Sequence, residues 1–445
     1  MNNFVIFISL LLFTQLTNAN AVTPANEKIA RAEYPTNTLY KIWLDQQKND
    51  RAALEFYNSL SEKHIVERNN EDANTVTVTY FAKGSGETDY IMQSGGPDFY
   101  GLRFRQIENS NIYFCVQIIP SDAWFAYGVN EFTRTSVEGS INLERTSMKH
   151  IYDGAVIGPH APLSEHTLPA ANVPTGTFHD SILNSKYMGE NREVKVYVPA
   201  DYNQAIAYNL VIQFDGQNYS ANPKQAPIWQ GWTPLPTIID NLIYKQKIGP
   251  TIVVFISNQG NRTEDLISEK MTDFVALEVL PWVKENYNIN TDPKRVVVSG
   301  PSRAGFAAMY TAYRHSNVIG SVLSQSGSLY YTLDENTNWP IYPEFEGKII
   351  EYYKQSPYKN IQFYIDVGLY DLGLAAVGTN RQLRDVLKLK GYHVEYYQYN
   401  GGHSHLGWRH TIANGLIALL GLEKNIAAGE PVNVTYQIVT RKNKK

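Results

Sequence analysis

The sequence has only one cysteine in 445 residues. A single thiol excludes an intramolecular disulfide and a metal site built from several thiolates. Cys115 lies in the apolar run 111–119, which has the composition of a β-strand. Free cysteines are among the residues most often buried in protein cores. We therefore expect a buried strand thiol at this position rather than a nucleophile.

An excess of positive charge is also absent. The formal net charge is −4 and only 18% of the residues are charged, whereas 43% are hydrophobic. Without a global positive field the chain has no means of holding a polyanion, so nucleic acid is excluded as the expected partner. The hydrophobic fraction excludes a mainly disordered chain, and the length favours two domains.

Long hydrophobic runs are missing apart from a short block near the start. Residues 4–13 are apolar but too few to span a bilayer, and Ala19-Asn20-Ala21 has the small-residue pattern of a cleavage site. Residues 1–21 are therefore predicted to be a signal peptide of a secreted or periplasmic protein. Because Met1-Asn2-Asn3 has no lysine or arginine, a membrane-anchored N-terminus is the alternative. No later segment is predicted to span a membrane.

Apolar periodicity divides the rest of the chain. Residues 25–160 read as a helical lead-in followed by short alternating strands, which predicts a small all-β sandwich domain. Residues 161–175 are rich in proline and alanine and form either an interdomain linker or a long surface crossing. Residues 176–425 are predicted to be the second domain. Residues 426–445 form a C-terminal tail that ends in basic residues.

The second domain alternates strands with helices. Several of its apolar runs are continuous, as strands covered by helices on both faces must be. This pattern predicts an α/β fold with a mostly parallel sheet flanked by helices. The predicted strands are 193–198, 210–214, 251–256, 295–299, 320–324, 361–365 and 393–398.

The sharpest chemical signal is the segment 295–306, in which the strand RVVVS runs into GPSRAGF. Here Ser302 lies on a turn between a buried strand and a helix. Such a turn holds the hydroxyl clear of the sheet, and the helix N-terminus stabilises developing negative charge. The pattern is G-x-S-x-A-G, with Ala304 small enough to replace the usual glycine. Ser302 is the predicted nucleophile, and a plain helix-capping serine is the alternative.

A serine nucleophile needs an acid and a histidine, which follow it in that order in this kind of fold. Asp371 follows the strand 361–365 and its glycine, and it is the favoured acid. Asp366 is the rival, although it belongs to the body of the strand. His403, directly after two glycines, is the predicted base, while His405 and His410 have the character of packing or surface residues.

The alternating pair His403 and His405 also suits zinc. Zinc enzymes supply further histidine or carboxylate ligands, and the sequence shows no second cluster of that kind beside this pair. We therefore expect neither a metal nor any other cofactor in the chemistry.

With these residues in place, the chain resembles the enterochelin esterase family of siderophore esterases from about residue 75 to 420. The segments that carry the resemblance are FDGQNY at 214–219, NRTEDL at 261–266, LPWV at 280–283, VLSQSGS at 322–328 and GGH at 401–403 with Trp408-Arg409. Asp265 stands where the family usually has glutamate. The β-rich first half is similar to the family's substrate-covering N-terminal domain.

The resemblance implies an α/β-hydrolase fold with a triad of Ser302, Asp371 and His403. It also implies a small-molecule substrate, a catecholate macrolactone of the enterobactin type, alone or with iron. The backbone amides of Arg303 and of the turn Gly216-Gln217 would then stabilise the oxyanion.

Several further side chains are candidates for binding such a substrate. Arg262, like Arg303, would attract an anionic catecholate, and the tryptophans at 229 and 232 would stack on its rings. Each has a structural alternative. Arg262 would pin a loop through a neighbouring carboxylate, and Trp232 would belong to the core.

Three other functions compete with a siderophore esterase. A carbohydrate esterase acting on acetyl or feruloyl groups is the nearest rival, and an acyltransferase would use the same acyl-enzyme with a different acceptor. A binding protein on an inactive hydrolase scaffold is the third. The complete set of serine, aspartate and histidine argues against the last.

Overall fold

The computed structural model describes residues 24–98, 101–136, 144–220, 231–331 and 346–422. These residues form two compact units. The first comprises residues up to 93, 102–119 and 129–152. The second comprises 94–101, 120–128 and everything from 153 onward. Two stretches of the β-rich first half therefore belong to the second unit.

The first unit begins with three helices, followed by β-strands. Four of the strands form a sheet with the order β1-β2-β6-β5, while β3 lies between β4 and β7 and β8 pairs with β7. Residues 124–128 of β7 belong to the second unit. The elements are α1 (Pro24–Glu33), α2 (Asn37–Gln46), α3 (Ala52–Ser59), β1 (His64–Arg68), β2 (Thr75–Lys83), β3 (Thr88–Ser94), β4 (Leu102–Arg103), β5 (Arg105–Gln106), β6 (Ile112–Pro120), β7 (Trp124–Ser136) and β8 (Glu144–Ile157).

The second unit alternates strands and helices. Its elements are β9 (Thr177–Ser185), β10 (Glu190–Val198), β11 (Asn209–Phe214), α4 (Gly216–Tyr219), α5 (Leu235–Tyr244), β12 (Thr251–Ile256), α6 (Arg262–Ile267), α7 (Glu269–Phe274), α8 (Leu280–Asn286), β13 (Val296–Pro301), α9 (Ser302–Arg314), β14 (Ser321–Gln325), α10 (Lys348–Gln355), β15 (Gln362–Tyr370), α11 (Gly373–Leu389), β16 (His393–Gly402) and α12 (His405–Leu420).

The sheet of the second unit has the order β9-β10-β12-β11-β13-β14-β15-β16. Strands β9 and β10 are antiparallel, and β10 is antiparallel to β12. From β12 to β16 every neighbouring pair is parallel. Since the carboxyl ends of parallel strands lie at one edge of a sheet, the residues that follow β11, β13, β15 and β16 are brought to that edge.

Alternate residues of the central strands pack on opposite faces of this sheet. Val298 faces a cluster that includes residues of α6 to α11, whereas Val297 faces residues of α5 and α12. Each strand is thus covered on both sides, which is why these segments are apolar without interruption. The α/β-hydrolase-like fold expected from the sequence is confirmed, together with the β-rich first half.

All seven strands expected in the second domain are present, with boundaries that move by a few residues. The strand predicted at 361–365 continues to Tyr370. Cys115 lies on β6 with 5% of its surface exposed, which confirms a buried strand thiol.

The segment 161–175 runs across the second unit. It contains a single 3₁₀ turn, Glu165–Thr167, whose carbonyls at His166 and next to it at Leu168 accept hydrogen bonds from the Asn241 side chain. The Ser164 amide donates to His410 Nδ1. These contacts bind the segment to α5 and α12.

The expected signal peptide 1–21, the tail 426–445 and Trp229 lie outside the described residues. Within the residues that are described, no helix has the length and apolar character to cross a bilayer.

Candidate active site

Ser302 lies at the turn between β13 and α9. Its φ is +55°, a left-handed conformation that is costly for a residue with a side chain. Its carbonyl accepts a hydrogen bond from the Ser328 amide at 2.9 Å, and the two hydroxyl oxygens are 3.3 Å apart. The turn therefore has the strained strand-to-helix geometry that the G-x-S-x-A-G pattern predicts.

Asp371 and His403 are joined by a hydrogen bond of 2.6 Å between Oδ1 and Nδ1. Asp371 directly follows β15 and is fully buried, whereas 19% of the His403 side chain is exposed. With Nδ1 directed to the carboxylate, Nε2 is the ring nitrogen left to exchange a proton with a substrate or nucleophile. This arrangement has the geometry of the acid–base pair in serine hydrolases.

Asp366, the rival acid, lies within β15 and is 0% exposed. Its Oδ2 accepts from Gln325 Nε2 at 3.3 Å, and its Oδ1 has no partner among the described residues. Burial raises the pKa of Asp366 to about 7, partly offset by hydrogen bonds from Thr411 and Gln325. The structure brings Asp371, and not Asp366, to the histidine.

The other two histidines of the segment are packed. His405 is 9% exposed, and its Nδ1 lies 3.0 Å from Thr233 Oγ1. Burial, reinforced by the charge of Arg409, lowers the pKa of His405 to about 3 and that of His410 to about 4. Both rings are neutral near pH 7, as expected for packing residues.

Trp408 connects His403 to the end of β14. Its ring meets the imidazole edge to face at 5.0 Å, and its Nε1 donates to Ser326 Oγ at 3.0 Å. Its carbonyl accepts from Gln325 Nε2 at 2.9 Å. In the sequence, Trp408 is only one of the residues that carry the family resemblance. The contact could not be inferred because it joins segments 82 residues apart.

The predicted oxyanion turn is built on a close approach of two backbones. Asp215 has φ +53° and precedes α4. A side chain at Gly216 would come within 2.8 Å of the Ile256 backbone nitrogen, so only glycine fits there. Gln217 Oε1 accepts from the Asn258 amide at 3.2 Å. The turn is thus fixed against the strand β12 and the loop that follows it.

Arg262 pins this turn. Its guanidinium donates to both carboxylate oxygens of Asp215, which is 4% exposed. This bidentate hydrogen bond is the main reason that the pKa of Arg262 is raised. Arg262 therefore pins a loop through a neighbouring carboxylate, which was the structural alternative to substrate binding. Its side chain is still 37% exposed.

Arg303 and Trp232 occupy different environments. The Arg303 guanidinium lies 4.6 Å over the ring of Tyr331 and donates to Thr263 Oγ1. Burial is the largest cause that lowers the pKa of Arg303, and the positive charge of Arg262 lowers it further. Trp232 is 6% exposed, with the Arg409 guanidinium 4.2 Å over its ring. Trp232 therefore lies in the core, which was the alternative to stacking on the substrate.

Comparison with known proteins places this geometry in context. The esterase family model matches residues 185–419, more than half of the chain and the part that contains every residue of the candidate site.

Two curated relatives align with the same part. The iron(III) salmochelin esterase of Escherichia coli O6:H1 is 26% identical over 262 residues, which cover 57% of this chain and 61% of the relative. The iron(III) enterobactin esterase of Escherichia coli K12 is 25% identical over 269 residues, 59% of this chain and 61% of the relative. The chain thus spans about three fifths of the length of these relatives.

Solved structures match over a longer stretch. The enterochelin esterase of Shigella flexneri has a TM-score of 0.63 and 18% identity, over 82% of this chain and 97% of that one. The ferric enterobactin esterase of Salmonella typhimurium has a TM-score of 0.63 and 17% identity, over 82% and 98%. At this sequence identity the likeness shows a shared fold alone.

Proposed function

Because the chain belongs to the esterase family, we propose that it is a serine esterase that hydrolyses the ester bonds of a catecholate siderophore of the enterobactin type. The observation that carries the mechanism is the 2.6 Å hydrogen bond between Asp371 and His403. These residues follow the neighbouring strands β15 and β16, and β14 separates β15 from β13, the strand that leads to Ser302. The relatives named for salmochelin and enterobactin support the substrate class.

In the first half of the proposed reaction, His403 Nε2 takes the Ser302 proton while Oγ attacks the ester carbonyl. Asp371 accepts the Nδ1 hydrogen bond, which fixes the tautomer and stabilises the imidazolium that forms. The tetrahedral intermediate then collapses, and the imidazolium gives its proton to the leaving alkoxide. The products of this half are an acyl-enzyme on Ser302 and a free alcohol.

The developing oxyanion needs donors that are already in place. We assign this role to the backbone amides of Arg303, in the first turn of α9, and of Gly216 and Gln217, at the start of α4. A helix N-terminus directs free amides and a partial positive charge at such a site. The loss of one donor from an oxyanion site costs roughly 3 kcal/mol.

The second half repeats the chemistry with water. His403 Nε2 deprotonates a water molecule, the hydroxide attacks the acyl carbonyl, and Ser302 leaves with the proton returned by the imidazolium. For a trilactone, the first cycle opens the ring and later cycles shorten the linear product. Iron, when present, is part of the substrate. We also propose that the protein is exported, because residues 1–21 are predicted to be a signal peptide.

The test is mass-spectrometric product analysis with a catecholate trilactone, iron-free and iron-loaded. We expect linear trimer, dimer or monomer from the wild-type protein and none from Ser302→Ala. If the wild type leaves the trilactone intact but turns over a simple aryl ester, the siderophore assignment is wrong and the triad stands. Equal turnover by Ser302→Ala would overturn the nucleophile.

A further inference from the structure

The loop that carries His403 is braced by a segment from the first half of the chain. Residues 120–128 are part of the second unit. Trp124, the first residue of β7, pairs in parallel with Gly401 on β16, and its ring stacks on Tyr399 at 4.9 Å with an interplanar angle of 13°. This pairing occurs two residues before His403.

A side-chain bridge lies beside this pairing. Asn400 Nδ2 donates to Asp122 Oδ1 at 2.7 Å, and Asn400 Oδ1 accepts from the Tyr370 hydroxyl at 3.3 Å. Tyr370 directly precedes Asp371, and Asn400 lies three residues before His403. One amide thus joins the segment that bears the acid to the segment that bears the base, and Asp122 fixes its orientation.

Aromatic packing also joins the segments that bear Asp371 and His403. The Phe125 ring meets the Tyr370 ring edge to face at 5.6 Å, and Phe125 is fully buried. A side chain at Gly402 would lie 3.4 Å from Phe125 Cβ. Phe125 therefore packs against the end of β15 and lies beside the residue before His403.

We propose that Asp122 and Asn400 are positioning residues that set the geometry of the Asp371–His403 pair. The proposal rests on the function proposed above. Neither residue contacts a substrate or a reacting atom in this role. They act through the backbone on both sides of a 2.6 Å hydrogen bond, and a displacement of about 1 Å in such a pair can cost about 100-fold in rate.

The variant Asn400→Asp tests this directly, because it sets a second carboxylate against Asp122. We expect its kcat on an aryl ester to fall about 10-fold to 100-fold with KM nearly unchanged. The double variant Asp122→Asn with Asn400→Asp should recover most of the rate, since an amide at 122 donates to a carboxylate at 400 and the Tyr370 hydroxyl keeps its acceptor.

A spectroscopic readout separates positioning from general destabilisation. A short Asp–His hydrogen bond gives a low-field proton resonance for Nδ1–H, which we expect in the wild type and in the double variant but not in Asn400→Asp. The matched control is Asn184→Asp, which alters the exposed Asn184–Asn191 pair between β9 and β10 and should change neither rate nor resonance. Should Asn400→Asp fail to fold, Tyr370→Phe removes only one hydrogen bond of the bridge.

The outcomes are distinct. Wild-type rates and resonance in both Asn400→Asp and Tyr370→Phe would overturn the positioning role while leaving the triad intact. Loss of rate without rescue in the double variant would also overturn it, since the restored bridge would then be irrelevant. An unaffected Ser302→Ala would instead overturn the proposed function.

Discussion

At the scale of single residues, side chains of the same type a few positions apart lie in different environments. Asp366 and Asp371 are both fully buried, but one accepts a hydrogen bond from Gln325 and the other from His403. His403 and His405 are two residues apart, and one faces Asp371 while the other faces Thr233. The difference follows from where each residue lies in its element. Asp366 is inside β15 whereas Asp371 follows it, and His405 is the first residue of α12 whereas His403 lies between β16 and that helix.

The proposed triad predicts unequal effects at the two histidines. His403→Ala should reduce kcat by several orders of magnitude, by about 10⁴-fold or more, since it removes the proton acceptor. His405→Ala should stay within about 10-fold of the wild type per folded molecule, because its ring is a neutral packing group. Steady-state kinetics on an aryl ester measure both, and equal losses would contradict the assignment.

Asp366 predicts a pH dependence of stability. An unfolded aspartate has a pKa of about 3.9, so between that pH and about 7 the native state holds a proton that the unfolded state lacks. The contribution of this group to stability is complete below about pH 4 and lost as the pH rises through about 7.

Because an amide does not titrate, Asp366→Asn should gain stability relative to the wild type on going from pH 5 to pH 8, by roughly 2–3 kcal/mol. Denaturant unfolding at the two pH values measures this change. A difference between variant and wild type that is the same at both would contradict a raised pKa at Asp366.

At the scale of elements, the ends of parallel strands assemble the site. Strands β13, β15 and β16 end next to Ser302, Asp371 and His403, and β11 ends next to the turn at Gly216. The ion pair between Arg262 and Asp215 adds to the contacts that hold the turn after β11 against β12. We infer that this charged pair fixes the backbone amides of the turn.

This role predicts a coupled loss in Arg262→Met. Asp215 would be left buried without its ion pair, although Asn258 Nδ2 would still donate to its carboxylate at 2.6 Å. This should cost about 1–3 kcal/mol of unfolding free energy, less than for a fully buried pair because water screens Arg262. Turnover of an uncharged aryl ester should fall as well, since the amides of Gly216 and Gln217 would lose their support.

The control is Lys354→Met, which removes an exposed ion pair with Glu346 on the same unit and should cost less than about 1 kcal/mol. Full activity of Arg262→Met on an uncharged ester, combined with loss on an anionic one, would instead favour the direct substrate contact that the sequence also allowed.

At the scale of the whole molecule, the two compact units do not follow the order of the chain. The stretches 94–101 and 120–128 belong to the second unit although residues of the first unit surround them in sequence. Trp124 packs there with Tyr399 and Leu406 in one buried cluster. The second unit is therefore incomplete without part of the first half of the chain.

A chain that starts at residue 153 should accordingly be impaired. It would expose Tyr399 and Leu406 and leave Asn400 without Asp122, so we expect aggregation or a markedly lower midpoint of thermal unfolding. Size-exclusion chromatography and calorimetry of 153–422 measure this. A monomeric fragment with wild-type turnover of an aryl ester would show that the braced segment is dispensable.

The sequence alone predicted seven of the eight strands described in the sheet of the second unit, all but β9, together with the serine turn and the chain order of serine, acid and histidine. These features are local, because they depend on apolar periodicity and on small residues at a turn. The resemblance to siderophore esterases also came from short segments such as 322–328 and 401–403.

Only the tertiary structure decided which aspartate reaches His403, which carboxylate holds Arg262 and what lies beside Asn400. The last contact joins residues 278 apart in sequence. Hydrogen bonds between such distant positions depend on strand order and on the packing of both sheet faces, which no local pattern encodes. The partners of charged and polar side chains are therefore a property of the folded chain, whereas its strands and turns can be recognised beforehand.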